Sequence, residues 1–391
     1  GAAAGAVVAA GELDFPDRAV FDDFVRGEQA LASYDPARLG AAVELFSRCV
    51  ERAPRFAPSY PRLASALLQY RNLGLDYDPA WLDRAHEAIR RGLEIDPGSL
   101  QLTLALGWYR LYTYDFAGAH ETATELATLP SGADLGCKLA LWDEFFRGDP
   151  GALSGTLPRC REAHPFDRSL GLNVAVLNTM AGRPEEALAV RREFETADER
   201  AFVPILARTW IRLAEGDTAR AAAELEVSVA KRPDPIVRLM AAEVALVAGD
   251  PARCALELEP WLEKNPYSLE GHWLAALAQD LAGEAANARA AAEAGHRWAR
   301  TLDEKYRNPA TRAFRLYFAA RCGAEAVDAA QVAAVDDRGQ ALLVAYLKQV
   351  TLARLGRAEV LDAVVTPASP TFWLSRFAPL EVELLRKAAA R

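Results

Sequence analysis

The sequence lacks the signatures of most protein chemistry. It has no Gly-rich phosphate loop of dinucleotide or nucleotide-triphosphate type, no HExxH and no GxSxG, so the commonest routes to cofactor, metalloprotease and hydrolase chemistry have no motif here. Its five histidines, His86, His120, His164, His272 and His296, are scattered, and none pairs with a Cys or another His at metal-ligand spacing. Cys49, Cys137, Cys160, Cys254 and Cys322 lie far apart without a CxxC pair, which removes zinc ribbons and dithiol redox motifs. Alternating runs of Val, Ile and Thr are scarce, so strands have little support. No apolar run is long enough to span a bilayer. The formal charge is −9, which argues against nucleic acid as a partner.

What is present is a folded composition. Apolar residues make up 51 % and charged residues 25 % of 391 residues, which is globular rather than disordered. That length exceeds one ordinary core unless the fold grows by repetition. The chain begins at Gly1 rather than Met, as expected of a processed product, a trimmed chain or a fragment. Its opening GAAAGAVVAA is read as part of a flexible lead-in over residues 1–18; the other reading is the tail of a removed signal or membrane helix. An odd set of scattered cysteines suggests reduced, buried thiols and favours the cytoplasm, with export or membrane tethering left open.

A repeated punctuation carries most of the information. RGDPGAL (147–153), AGRPEEA (181–187) and AGDPARC (248–254) share a Gly-polar-Pro core. Marking the glycines gives Gly148, Gly182, Gly216, Gly249 and Gly283, spaced 34, 34, 33 and 34, then Gly323 and Gly356 after 40 and 33 more. One period before Gly148, TYDFAGA places Tyr114 where the glycine is expected. A period near 34 predicts stacked helical hairpins. Gly takes the left-handed conformation that ends a helix. Asp149, Asp217 and Asp250 then cap the next helix, and Pro150, Pro184 and Pro251 fit its first turn. The tripeptide Arg147-Gly148-Asp149 is therefore expected to be a helix boundary and not an adhesion signal. A second punctuation alternates with the first, at Pro54, Pro97, Pro165, Pro233 and Pro266, and ends the outgoing helix of each hairpin. Between the marks the helices are one-sided: Leu39, Ala42, Val43, Phe46, Cys49, Val50 and Ala53 recur at three and four residues.

These residues resemble the tetratricopeptide repeat family. Ala42, Phe46, Cys49 and Pro54 follow the family's second-helix order of small residue, large apolar residue, small residue and Pro. Ala85 and Ile89 with Pro97, and Cys254 and Leu258 with Pro266, follow it again, and Leu106-Gly107 matches the middle of the first helix. The likeness covers about residues 20–302 and weakens over 303–391. RNLGLDYDPAW lengthens an early turn, and Arg208 falls where a buried Leu is usual. The opening repeats are also similar to the repeat regions of bacterial transcription regulators and nucleotide cyclases. The resemblance implies an all-α, right-handed superhelical solenoid of about nine or ten antiparallel helical hairpins. Hairpins are expected over 19–302, degenerate ones over 303–365, and a capping helix over 366–391, with Phe372, Trp373 and Phe377 available to cover the last apolar face.

One pattern suggests a surface for recognition. Trp108, Trp142 and Trp210 stand one and two further periods apart on first helices, with Val176 on the missing rung. Tyr112, Phe146 and Met180 form a second ladder, ended by Ala214, and Trp273 lies on a later first helix. Stacked repeats place equivalent residues side by side. In the family that this chain resembles, first helices line the concave face. There these seven residues would bind a protein or peptide; packed inside the hairpins instead, they would be core. No catalytic residue, metal or cofactor is expected. The expected function is a non-catalytic protein-binding scaffold. The alternatives are a regulatory ligand-binding part of a larger signalling protein, and an enzyme built on an α-toroid.

Overall fold

The computed structural model describes residues 14–33, 35–149, 151–195, 202–231, 235–364 and 377–390. Among these the regular structure is helical. The chain divides into two compact units, residues 1–113 with 118–139, and residues 114–117 with 140–391.

In the first unit the hairpin rule is plain at its start. Asp17 caps helix Arg18–Ala32, accepting from the Val20 amide at 2.8 Å. Asp35 caps helix Pro36–Arg52, which opens with its proline. That second helix buries Leu39, Ala42, Val43, Phe46, Cys49 and Val50. Phe46 lies so close to Gly27 that a Cβ there would sit 2.8 Å from the ring. Across the same hairpin, Asp23 accepts from Arg48 at 2.8 and 3.0 Å and from Arg52 at 2.9 Å. Those partners, the Arg48 hydrogen bond foremost, hold its carboxyl below the usual range. Helices Ser59–Asn72, Pro79–Ile95 and Leu100–Tyr112 continue the unit. The inserted residues 73–78 form the longer turn into helix Pro79–Ile95, with Trp81 stacked on Tyr70 at 4.0 Å and donating to Asp76 at 2.8 Å.

The second unit carries the regular period. Gly148, Gly182, Gly216, Gly249, Gly283, Gly323 and Gly356 all have φ between 71° and 88°, the left-handed helix ending that the spacing predicts. Tyr114, one period earlier, takes the same conformation at φ 64°. A tyrosine there needs compensation. It is buried, donates to Glu270 at 2.7 Å and packs edge-on against Phe314 at 5.9 Å. The aspartates after the glycines also behave as expected. Asp149 accepts from the Gly151 amide, Asp217 from Arg220 and Asp250 from Arg253, at 2.7, 3.0 and 2.9 Å. Arg147-Gly148-Asp149 is thus a helix boundary, with Arg147 donating to the Gly339 carbonyl at 2.7 Å. Pro150 lies outside the described residues.

The second helices depart from uniformity where their sequences do. Residues 152–156 form a π turn before helix Leu157–Ala163, because Pro158 supplies no amide to the preceding turn. Residues 184–195 form two short helices, Pro184–Leu188 and Arg191–Glu195. Helix Ala285–Tyr306 runs for 22 residues, which accounts for the 40-residue gap between Gly283 and Gly323. Beyond it the first helices Pro309–Cys322 and Leu342–Arg354 keep full length. Their companions shrink to Ala329–Ala333 and the 3-10 turn Ala358–Ala363; the stretch 329–341 buries few side chains, chiefly Val332 and Val335. Helix Ala378–Ala389 follows, with Phe377 fully buried at its start. Phe372 and Trp373 lie outside the described residues.

Candidate functional site

The ladder residues divide by exposure. In the first unit Trp108 and Tyr112 are half-buried on helix Leu100–Tyr112, their rings nearly parallel at 5.8 Å. The Tyr112 hydroxyl donates to Asn72 at 3.1 Å. Behind them Gly107 admits the neighbouring helix, since a Cβ there would lie 2.2 Å from Leu139. In the second unit Trp142 and Phe146 are half-buried one turn apart on helix Cys137–Arg147, with ring centroids at 5.5 Å. Phe145 turns inward between them and is fully buried.

The other three side chains are interior. Met180 and Trp210 are 5 % and 4 % exposed. Helices Arg168–Met180 and Phe202–Ala214 pack together there, and Thr179 donates to the Trp210 carbonyl at 3.3 Å. Trp273 is 2 % exposed, and its indole N–H donates to Glu381 at 2.9 Å. A first-helix position thus sets which turn a residue occupies but not its depth. Arg208, the unusual charge in this region, is half-buried and reaches the Phe194 carbonyl at 3.4 Å.

Around Glu381 stands a cluster that sequence patterns did not reveal. Helix Leu269–Leu281 supplies Trp273 and Asp280, helix Pro309–Cys322 supplies Tyr317 and Arg321, and helix Leu342–Arg354 supplies Tyr346 and Arg354. Glu381 Oε2 accepts from Trp273 at 2.9 Å and Tyr346 at 2.6 Å. Oε1 accepts from Tyr317 at 2.7 Å, Arg354 at 2.7 Å and Arg321 at 3.0 Å. Arg321 also pairs with Asp280. Burial alone would raise the Glu381 carboxyl, but the charges of Arg354 and Arg321, with the hydrogen bonds, win and hold it at about 2. The same burial drives the Tyr317 and Tyr346 hydroxyls upward, so both remain donors. Only the first helix of this set belongs to the clear repeat; the partners are separated by up to 108 residues, so no local motif joins them.

Three further features frame the site. The first unit has a cavity of about 350 Å³. Its apolar floor includes Val50, Tyr60, Leu63 and Leu67, and its charged rim includes Asp83, Arg84, Glu87 and Arg91. All five cysteines are buried and free of disulfides; burial pushes the Cys49 thiol up to about 11 and Cys254 further. Among the described residues no group of three or more His, Cys, Asp or Glu could hold a metal ion, and no helix is long and apolar enough to cross a membrane.

No family model matches the chain, and no curated protein matches it. Among solved structures it is similar to a tetratricopeptide repeat protein from Parabacteroides merdae, at 12 % identity over 74 % of this chain and 97 % of that one, with a TM-score of 0.34. It is also similar to a thermophilic TPR protein of Thermus thermophilus, at 18 % identity over 66 % and 98 % of the two chains, with a TM-score of 0.21. A third is the TPR domain of P58(IPK), at 14 % identity over 74 % and 98 %, with a TM-score of 0.21. What decides the assignment is the chain's own repeat. Its glycine turns recur at 33–34 residues with φ near +75°, and the signature positions Ala42, Phe46, Cys49, Ala85, Ile89, Cys254 and Leu258 are all buried. The chain folds as an array of helical hairpins that follow a divergent tetratricopeptide-like pattern. Its divergence lies in the shortened second helices and in the buried Trp273–Glu381 cluster of this repeat protein's C-terminal part.

Proposed function

We propose that this repeat protein is a non-catalytic scaffold that binds a partner protein or peptide through aromatic side chains of its first helices. One observation supports the reading. Each unit keeps a pair of aromatics half-exposed one helical turn apart, Trp108 with Tyr112 and Trp142 with Phe146. Aromatics with one face packed and one face open contribute much contact area at low entropic cost when a partner covers them. In the family resembled here, first helices line the binding face. Met180, Trp210 and Trp273 are buried and lie outside the proposed contact.

The test uses crosslinking pulldown from native lysate with the intact chain, a Trp108→Ala/Tyr112→Ala variant, a Trp142→Ala/Phe146→Ala variant and a Leu256→Ser control. Leu256 is 60 % exposed on a second helix. A partner recovered by the intact chain and the control, and lost from a paired variant of unchanged circular dichroism, supports the proposal. A partner retained equally by both paired variants overturns it.

A further inference from the structure

The Glu381 cluster has the architecture of a receptor site with its ligand in place. Five donors, on Trp273, Tyr317, Arg321, Tyr346 and Arg354, converge on one carboxylate. They come from three helices, and the acceptor comes from a fourth, Ala378–Ala389. Beyond the cluster, that fourth helix is held by Arg386, which donates to the Leu361 carbonyl at 3.4 Å and to Asp362 at 3.2 Å. Its start buries Phe377, Ala378, Glu381 and Val382, whereas Glu383 and residues 386–390 are exposed. The anchor is therefore a short pattern: an aromatic residue, then a carboxylate one turn later. Phe377 seats edge-on to Trp273 at 6.2 Å, and Glu381 fills the polar end.

Charge makes the cradle selective. Arg321 is shared between Asp280 and Glu381, while the ion pair of Arg354 is with Glu381. Without Glu381 the enclosed cluster would hold two guanidinium groups against one carboxylate. Two buried tyrosine hydroxyls and an indole N–H would also lose the acceptor they share. Desolvated donors and charges of this kind are costly to leave unmet. The buried Arg354 Nε has no hydrogen-bond partner here, so the cradle offers one donor more than its occupant uses. An apolar residue cannot replace the occupant; another carboxylate on a helix with the same apolar flank can.

We infer that this cradle is a docking site for the start of a partner protein's acidic amphipathic helix, with an aromatic residue and, four residues on, a glutamate, and that the chain's own C-terminal helix occupies it in cis as a competing ligand. The site is separate from the half-exposed aromatic pairs and does not rest on them. Tethering gives the cis helix an effective concentration in the millimolar range, so the intact chain resists exchange until a stronger or multivalent partner arrives.

The probe is a fluorescent peptide of residues 377–390, titrated by anisotropy into the full chain and into the full-length Glu381→Gln and Phe377→Ala variants. Both substitutions weaken the cis helix and leave every donor of the cradle intact. Either variant that keeps its helical circular dichroism should bind the peptide at least tenfold more tightly than the intact chain. The same peptide carrying Gln at the Glu381 position should bind that variant at least tenfold more weakly. Equal binding by intact chain and folded variants, or indifference to the Gln peptide, overturns the inference. If both variants fail to fold, the intact chain is incubated with peptide carrying a photo-crosslinker in place of Phe377. Crosslinks to helix Leu269–Leu281 support the proposal, and their absence at saturating peptide refutes it. An intact chain that is a dimer dissociated by the peptide makes the trans occupant a second copy, which overturns the assignment to a separate partner.

Discussion

The depressed carboxyl of Glu381 ties stability to pH in a defined direction. Its folded value is about 2, against 4.5 for an ordinary glutamate. A group with a lowered folded value contributes stability that is present above its unfolded value and is lost as pH falls through the folded one. At pH 7 the difference is worth about 3 kcal/mol, and at pH 3 it shrinks to less than half of that. Removing the charge by Glu381→Gln at pH 7 should cost about 3–5 kcal/mol, the range for breaking a buried ion pair from one side. The structure supplies the reason: Arg321 and Arg354 remain, and the Gln amide turns N–H groups toward donors. The assay is urea unfolding of intact chain and variant at pH 7.0, 4.5 and 3.0, followed by far-UV circular dichroism and by tryptophan fluorescence, because two units need not unfold together. The gap between the proteins should narrow by about 2 kcal/mol from pH 7.0 to 3.0 in the transition that exposes Trp273. A gap that stays constant across this range would falsify the electrostatic account and leave only shape complementarity.

Three other predictions test separate parts of the fold. Glu243 is buried on helix Pro235–Val247, and desolvation pushes its carboxyl well above 4.5; stability from its neutral form is present below 4.5 and lost as pH rises, so Glu243→Gln should raise Tm at pH 8 and leave it unchanged at pH 4, as read by calorimetry. Gly216 has φ 76° and open space where a Cβ would go, so Gly216→Ala should cost about 1 kcal/mol by chemical denaturation through backbone strain alone, and Gly216→Asn clearly less. Gly107 has no such φ, but a Cβ there would meet Leu139 at 2.2 Å and Thr122 at 3.0 Å; Gly107→Ala should cost about 1–3 kcal/mol through overpacking, and a Leu139→Ala background should return part of that loss.

The hairpins were legible because a turn is a local object. A glycine followed closely by an aspartate, a proline or both states where one helix stops and the next starts, and the structure places Gly182, Gly216 and Gly249 in the left-handed region as their spacing implies. Tyr114 was found by the period alone, against its own preference, since its compensating contacts with Glu270 and Phe314 lie 156 and 200 residues away. The depth of the aromatic ladder was not legible. Trp142 and Trp210 occupy equivalent sequence positions two periods apart, yet one is half-exposed and the other buried, because depth depends on which neighbouring helices are full and which are broken. The short helices after Gly148 and Gly182 change that neighbourhood rung by rung.

The Glu381 cluster was invisible to pattern reading for a related physical reason. In a repeat array, each hairpin contacts its neighbours, and a residue's meaning can be read from its period. Once the second helices shrink to Ala329–Ala333 and Ala358–Ala363, the first helices lose the apolar cover that the period would have supplied. Polar side chains on Pro309–Cys322 and Leu342–Arg354 then need partners from outside the repeat. A buried arginine is tolerated only with a counter-charge, and two of them, Arg321 and Arg354, draw one from the non-repeating helix that follows. The loss of repeat regularity and the appearance of a carboxylate cradle are therefore one event: where the array stops covering itself with apolar helices, its last first helices become able to select what covers them.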